Sequence, residues 1–284
     1  MSFVIGHGGV GLNVATAGDP GAPAILLLHG WAQHSLSWRR QLQALSDEFF
    51  VLAPDLRGHG ESGKPEEKSA YDTSEPWAGD VAAVIHGFSL NAPVLVGWSM
   101  GGWVAQDYIR HHGDSAISGL ALVGTGVTTG SEMPEAARKE RAGRADVLAL
   151  GMYSADQPTN LAATLAFTKA CSEAPLSPED FALNVGYAML CPAYARHPAR
   201  TRSEDYRETT AAVRVRAALI VGKKDPMAVT SLRREAHETL PDAQVITYEG
   251  VGHSPFLEVP DLFNRDLAEF ARACHANATT GVSV

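Results

Sequence analysis

Cysteine is scarce in this chain of 284 residues, which holds only Cys171, Cys191 and Cys274. The number is odd, the spacing is wide and no CxxC pair occurs, so neither a disulfide framework nor a zinc ribbon is encoded. No HExxH or HxxxH stretch occurs, and neither a metal nor another cofactor is expected. No apolar run approaches the roughly 18–20 residues of a membrane span. The opening "MSFVIGHGGVGLNVATAGDPG" lacks the basic start and long apolar core of a signal peptide. Positive charge is in deficit, with 23 Lys and Arg against 32 Asp and Glu and a net charge of −9. That balance speaks against nucleic acid or an anionic membrane as a partner. The exclusions leave a reduced, cytoplasmic protein that acts on a small molecule. A homo-oligomer is compatible with them.

What is present is ordinary for a globular chain with a large core: 45% hydrophobic and 19% charged residues. Short apolar runs recur between turn signals. They are "AILLLHG" (24–30), "FFVLAPD" (49–55), "APVLVGWS" (92–99), "SGLALVGTG" (118–126), "AALIVGKKD" (217–225) and "AQVITYEG" (243–250). Continuous apolar runs fit strands buried on both faces of a parallel sheet. The glycine-flanked "FVIG" and "GLNVATAG" suit an opening antiparallel hairpin. Helical patterns fall between the runs, over about 74–88, 100–112, 228–239 and 260–274. The alternation predicts an α/β fold with a mostly parallel central sheet and helices on both faces.

Residues 127–212 break this rhythm. They hold no strand pattern, are rich in alanine and charge, and carry six prolines from Pro134 to Pro198. An inserted set of short helices acting as a cap is the simplest reading. Asp180, Glu204 and Asp205 within it read as solvated. The predicted organisation is a core of 1–126 and 213–276, a cap of 127–212, and a loose tail of 277–284.

Ligands of open α/β sheets bind beyond the carboxyl ends of the strands. At those ends stand Ser99, Asp225 and, past the last strand, His253, in the chain order of an α/β-hydrolase triad. A serine hydroxyl needs a base to take its proton. A histidine can take that proton and return it to the leaving group, and a carboxylate fixes the imidazole tautomer. The stretch "GWSMGG" places Ser99 between Gly97 and Gly101, where a strand turns sharply into a helix. Such a G-x-S-x-G occurs by chance in about one chain of this length in ten. The strand before, the helix after and the two partners downstream are what give it meaning. The rival acid position, in "GTGVTTG" near Thr125, offers no carboxylate.

The oxyanion of acyl transfer needs preorganised donors. The backbone N–H groups of Met100, at the helix start, and Trp31, in "LLLHGW", are the candidates. His29 and the loop "PDLRGHGES", with Asp55 and His59, read as structural. "GHGGVG" at 6–11 imitates a dinucleotide motif, but no helix pattern follows it. Trp98, Tyr153, Phe167 and Met189 are candidates to line a substrate pocket beneath the cap.

Together "LLLHGW", "PDLRGHGES", "GWSMGG", "LIVGKKDP" and "GVGHSPFLEVP" resemble the α/β-hydrolase fold superfamily, in its serine-nucleophile branch with a helical cap. The resemblance covers about 3–126 and 213–274. Haloalkane dehalogenases and epoxide hydrolases of that superfamily use an aspartate nucleophile, which Ser99 argues against. "HGW" with "GWSMGG" is similar to carboxylic-ester hydrolases such as the pimeloyl-ester methylesterases. It is also compatible with meta-cleavage-product C–C hydrolases, enol-lactonases and cofactor-free haloperoxidases. The expectation is a serine hydrolase of a small ester or lactone. C–C bond hydrolysis or perhydrolysis on the same triad is the alternative. A non-catalytic ligand binder on this fold is disfavoured by the intact triad.

Overall fold

The computed structural model describes residues 2–142 and 145–280, without the side chains of 145–147 and 277–280. The chain opens with an antiparallel hairpin of β1 (Ser2–Ile5) and β2 (Gly11–Ala17). There follow β3 (Ala24–Leu28), α1 (Arg39–Leu45), β4 (Phe50–Pro54), α2 (Ser74–Gly87), β5 (Val94–Trp98), α3 (Met100–His112) and β6 (Gly119–Val123). A helical insert comprises α4 (Glu135–Arg141), α5 (Ala145–Gly151), α6 (Gln157–Ala170), α7 (Pro178–Leu190), α8 (Ala193–Thr201) and α9 (Arg207–Ala211). The core resumes with β7 (Arg216–Gly222), α10 (Thr230–Thr239), β8 (Gln244–Tyr248), α11 (Pro255–Glu258) and α12 (Pro260–Thr280).

The eight strands form one sheet in the order β1-β2-β4-β3-β5-β6-β7-β8. Only β1, β2 and the edge of β4 that meets β2 pair antiparallel; from β4 to β8 the pairs are parallel. Strand β3 lies between β4 and β5, so the chain winds outward in opposite directions from it. A crevice opens at such a switch point, beyond the carboxyl ends of the strands. Trp31 follows β3 and Ser99 follows β5, one on each side of that crevice.

Strand β3 still alternates although each of its residues is buried, whereas the edge strand β8 exposes Gln244, Val245 and Thr247 and is not buried on both faces as its apolar run suggested. Leu26 and Leu28 of β3 pack with Val81 and Val84 of α2 and Val104 of α3. Ile25 and Leu27 face the other way, with Leu42 of α1 and Phe263, Leu267 and Phe270 of α12. A strand read as a plain hydrophobic run thus feeds two cores, each residue contributing about 1.5–3 kcal/mol by its burial. Among the described residues, no helix is long and apolar enough to cross a membrane.

Polar contacts hold the insert, called the cap below. Its two ends pair with each other: Thr129 N–H donates to the Glu204 carbonyl at 2.9 Å, and Tyr206 N–H to that of Val127 at 2.8 Å. Inside it, Arg196 of α8 is 2% exposed and donates to the Met152 and Ala188 carbonyls, at 3.0 and 2.7 Å, and to Asn160 Oδ1 at 2.9 Å. One guanidinium therefore ties four cap segments. Asp180 does not lie in solvent as the sequence suggested. It is 2% exposed and pairs with Arg39 and Arg40 of α1, joining α7 to the core. Glu204 likewise pairs with Arg110 of α3, while Asp205 is exposed and pairs with Arg207. Helix α12 reaches Thr280, past the expected start of the tail at 277, and positions 281–284 lie outside the described residues.

Replacing Arg196 by Met should keep the stem and strand the buried carbonyls. We expect a loss of about 3 kcal/mol, since each buried acceptor left without a donor costs about 1–3 kcal/mol. Urea unfolding measures it. A loss under about 0.5 kcal/mol would show that the guanidinium does not hold the cap.

Candidate active site

Strand β5 ends at Trp98 and α3 begins at Met100, so Ser99 alone makes the turn. Its backbone stands at φ 54°, ψ −120°, a conformation that costs a non-glycine residue about 1–3 kcal/mol. The Ser99 N–H donates to the Val123 carbonyl of β6 at 2.9 Å, and its carbonyl accepts from Gly102 N–H at 2.9 Å. The flanking glycines are sterically required. A Cβ on Gly97 would lie 2.4 Å from the Gly101 carbonyl oxygen, and one on Gly101 would lie 2.3 Å from that of Leu28. The turn thus presses the start of α3 against β3, where no side chain fits.

Asp225 follows β7 and His253 follows β8, and the two loops meet. His253 Nδ1 is 2.8 Å from Asp225 Oδ2, with the residues 3% and 5% exposed. The other carboxylate oxygen accepts from the N–H groups of Met227 and Ala228 at 2.7 and 3.0 Å. Held this way, the carboxylate accepts a hydrogen bond from Nδ1–H, which orients the ring and leaves Nε2 as its acceptor nitrogen.

The backbone of His253 is pinned as firmly as its ring. The indole N–H of Trp98 donates to the His253 carbonyl at 2.8 Å, and His253 N–H donates to the carbonyl of Cys171 in the cap at 2.8 Å. Glu258 of α11 accepts from the N–H groups on both sides of the histidine: Gly252 at 3.0 Å and Ser254 at 3.3 Å. It also accepts from Glu173 N–H of the cap at 3.0 Å. Sequence reasoning missed Glu258. It lies five residues past His253, and only the bend of the loop before α11 brings it back.

Ser99, His253, Trp31, Met100, Trp98 and Phe167 line one cavity of about 60 Å³. Two candidates lie elsewhere. Tyr153 packs edge-on against Trp31 at 6.0 Å and against His197 at 4.8 Å, behind the wall that Trp31 forms. Met189 is 40% exposed. Helix α7 presents Asn184 to the cavity, and five residues further on the side chain has turned by about 140°. The cavity also takes Thr125, which follows β6, and Arg141, Cys171 and Arg200, which no sequence pattern marked.

The histidines of the neighbouring loops are structural. His29 Nε2 accepts from Leu56 N–H at 3.0 Å, and burial pushes its pKa down to about 3. His59 Nε2 accepts from Ala32 N–H at 3.1 Å, and burial lowers its pKa to about 4. Both rings are neutral acceptors that shape the turn carrying Trp31. Asp55 accepts from Ser35 N–H at 2.7 Å, Glu61 N–H at 2.9 Å and Asn13 Nδ2 at 2.9 Å, stapling the same loops. The glycine-rich 6–11 stretch makes a single 3-10 turn and enters β2, not a helix.

Known proteins share this arrangement of elements. A family model described as "Alpha/beta hydrolase family" matches residues 25–266. The AB hydrolase superfamily protein YisY of Bacillus subtilis is 28% identical over 252 residues, 88% of this chain and 91% of that protein. The esterase RhEst1 from Rhodococcus sp. ECU1013 superposes with a TM-score of 0.86 at 29% identity, covering 96% of this chain and 98% of that one. Epoxide hydrolase A of Mycobacterium tuberculosis is 39% identical over 115 residues, 40% of this chain and 35% of that protein. The family match runs from β3 through the cap and into α12, and the chain belongs to the alpha/beta hydrolase family.

Proposed function

We propose that this hydrolase cleaves a small carboxylic ester or lactone through an acyl-enzyme formed on Ser99. The observation that carries the reading is the 2.8 Å bond of Asp225 to His253, set beside the strained turn of Ser99 in one cavity. His253 Nε2 takes the Ser99 hydroxyl proton as Oγ attacks the carbonyl carbon. The tetrahedral oxyanion is held by the N–H groups of Trp31 and Met100. Met100 is the first residue of α3, and the first N–H groups of a helix have no partner within it. His253 then returns the proton to the departing alcohol. Water, deprotonated by the same imidazole, attacks the acyl carbon and frees Ser99. Asp225 remains ionised throughout and stabilises the imidazolium.

The likeness to an epoxide hydrolase does not carry over as an activity. Opening an epoxide by covalent catalysis needs a carboxylate at the elbow, whose ester water can then cleave at the carbonyl. The serine of this chain would instead leave an ether. The esterase relative, by contrast, is matched over nearly the whole of both chains.

A fluorophosphonate probe should label the wild type once, and Ser99→Ala should remove the adduct as read by intact mass. With nitrophenyl esters, His253→Ala and Asp225→Asn should each lower kcat by about 10⁴-fold, as loss of the base or of the correct tautomer does in other triads. Near wild-type turnover in either variant contradicts the role given.

Glu258 positions His253 without touching substrate, so Glu258→Ala should lower kcat while leaving KM within about threefold. Displacing a reacting group by about 1 Å can cost 10²-fold, and a fall of 10- to 100-fold is expected. Glu258→Gln retains one acceptor oxygen and should recover part of it. Equal losses in kcat and in folded fraction for both variants would reduce Glu258 to a structural role.

A further inference from the structure

We propose that the cavity selects an ester or lactone that carries a second, uncharged oxygen function near its scissile carbonyl, and that the Thr125 hydroxyl bonds that function. This substrate class rests on the ester-hydrolase reading and deepens it. Strand β6 lies between β5 and β7 in the sheet, so the loop after it begins between those of Ser99 and Asp225. Thr125 stands in that loop. A Cβ on Gly102, in the first turn of α3, would lie 2.4 Å from the Thr125 Cγ2. The preceding residue, Gly124, lies against the Asp225–His253 pair: a Cβ there would be 3.0 Å from Asp225 Oδ2 and 3.1 Å from His253 Nδ1. Thr125 is therefore held between the turn of the proposed nucleophile and the pair that serves it.

The stretch 124–130 holds three threonines, and two of their hydroxyls are satisfied inside the protein. Thr128 Oγ1 donates to Glu235 Oε2 at 2.6 Å, and Thr129 Oγ1 to the Arg202 carbonyl at 3.0 Å. Thr125 is 7% exposed and lines the cavity, and no group of the protein bonds its hydroxyl. A buried hydroxyl without a partner is unfavourable, and a ligand oxygen would satisfy it.

A second hydroxyl points to the same chemistry from the cap. Ser172 borders the same cavity, and its Oγ is buried without a partner. It follows Cys171, whose carbonyl accepts the His253 N–H. The arginines of the wall are engaged already, Arg200 over the Trp31 ring at 5.0 Å and Arg141 against Met133 Sδ at 3.7 Å. No Asp or Glu borders the cavity among the described residues. The two groups that ask for a partner are thus neutral. A hydroxyl both donates and accepts, which suits a ligand hydroxyl or carbonyl. It does not replace the hydration of an ion. The cavity measures about 60 Å³, so the bonded function lies within a few atoms of the carbonyl that Ser99 attacks.

Two matched pairs of esters provide the test, each exchanging a hydroxyl for a methyl group of similar size. Ethyl β-hydroxybutyrate with ethyl isovalerate probes the acyl side, and hydroxyethyl butyrate with propyl butyrate the alcohol side. In at least one pair kcat/KM should favour the hydroxyl ester by about tenfold, because the methyl analogue leaves a buried group of the site unpaired. Thr125→Val keeps the side chain's shape and should shrink that preference to about threefold or less, while Thr125→Ser should retain most of it. Since the hydroxyl bonds nothing within the protein, Thr125→Val should leave Tm unchanged or raise it. A preference absent from both pairs overturns the proposal. So does a preference that survives Thr125→Val, or no turnover of any of the four esters. A Tm lowered by several degrees in Thr125→Val also overturns it, by revealing an internal partner. Fluorophosphonate labelling of the wild type reports on the nucleophile separately. An adduct without the hydroxyl preference removes only the substrate class. Absence of both adduct and turnover removes the ester reading, and the substrate class with it.

Discussion

The bond between Asp225 and His253 is the constraint around which the rest is arranged. Its partners sit on loops after β7 and β8, and its 2.8 Å length tolerates little relative movement. Parallel pairing of β6, β7 and β8 fixes where both loops begin. The Met227 and Ala228 N–H groups then aim one end of the bond, and Trp98 and Glu258 hold the backbone at the other. Trp98 is itself the last residue of β5. The residue before the proposed nucleophile thus holds the proposed base, and the two groups cannot drift independently.

The strain at Ser99 is tolerable only because its surroundings leave no relaxed alternative. The turn is hydrogen-bonded to β6, and α3 lies against β3 at a distance that excludes any Cβ on Gly101. Relaxing the serine would mean lifting a helix from the sheet. That would expose Val104 and Ala105, both fully buried, at a cost that exceeds the strain of about 1–3 kcal/mol.

The sheet, the hairpin and the strand-end residues were legible because short-range rules govern them. A buried parallel strand must be apolar throughout, and a tight strand-to-helix turn must use glycine. Helix α1, in "RRQLQAL", was not legible, because seven residues give too short a period and its buried face shows only once β4 and α12 lie against it. Inside the cap the failures share one cause. Asp180 looks like any surface carboxylate until Arg39 and Arg40 arrive from more than a hundred residues away. Met189 looks like a pocket residue until the phase of α7 is known. Glu258 likewise draws its meaning from partners that no local pattern encodes.

The difference between core and cap is physical as well as informational. The core is held by apolar area, which is strong but indifferent to small shifts. The cap joins one of the core's apolar clusters through Met152, Ala188, Cys191 and Ala195, and buried polar groups hold it in addition: Arg196 on carbonyls, Arg202 against Asp107 at 2.7 Å, and Tyr206 donating to the same carboxylate at 2.7 Å. Replacing both members of an ion pair such as Arg202 and Asp107 with apolar residues often costs nothing in stability, but the pair allows only one arrangement. Position matters here because the cap touches the loop of the proposed base directly. Cys171 accepts the His253 N–H, and Glu173 donates to the carboxylate that brackets the histidine. A cap displaced by an ångström would carry these two contacts with it. Directional charge pairs in the cap therefore serve the geometry of a histidine that belongs to the core.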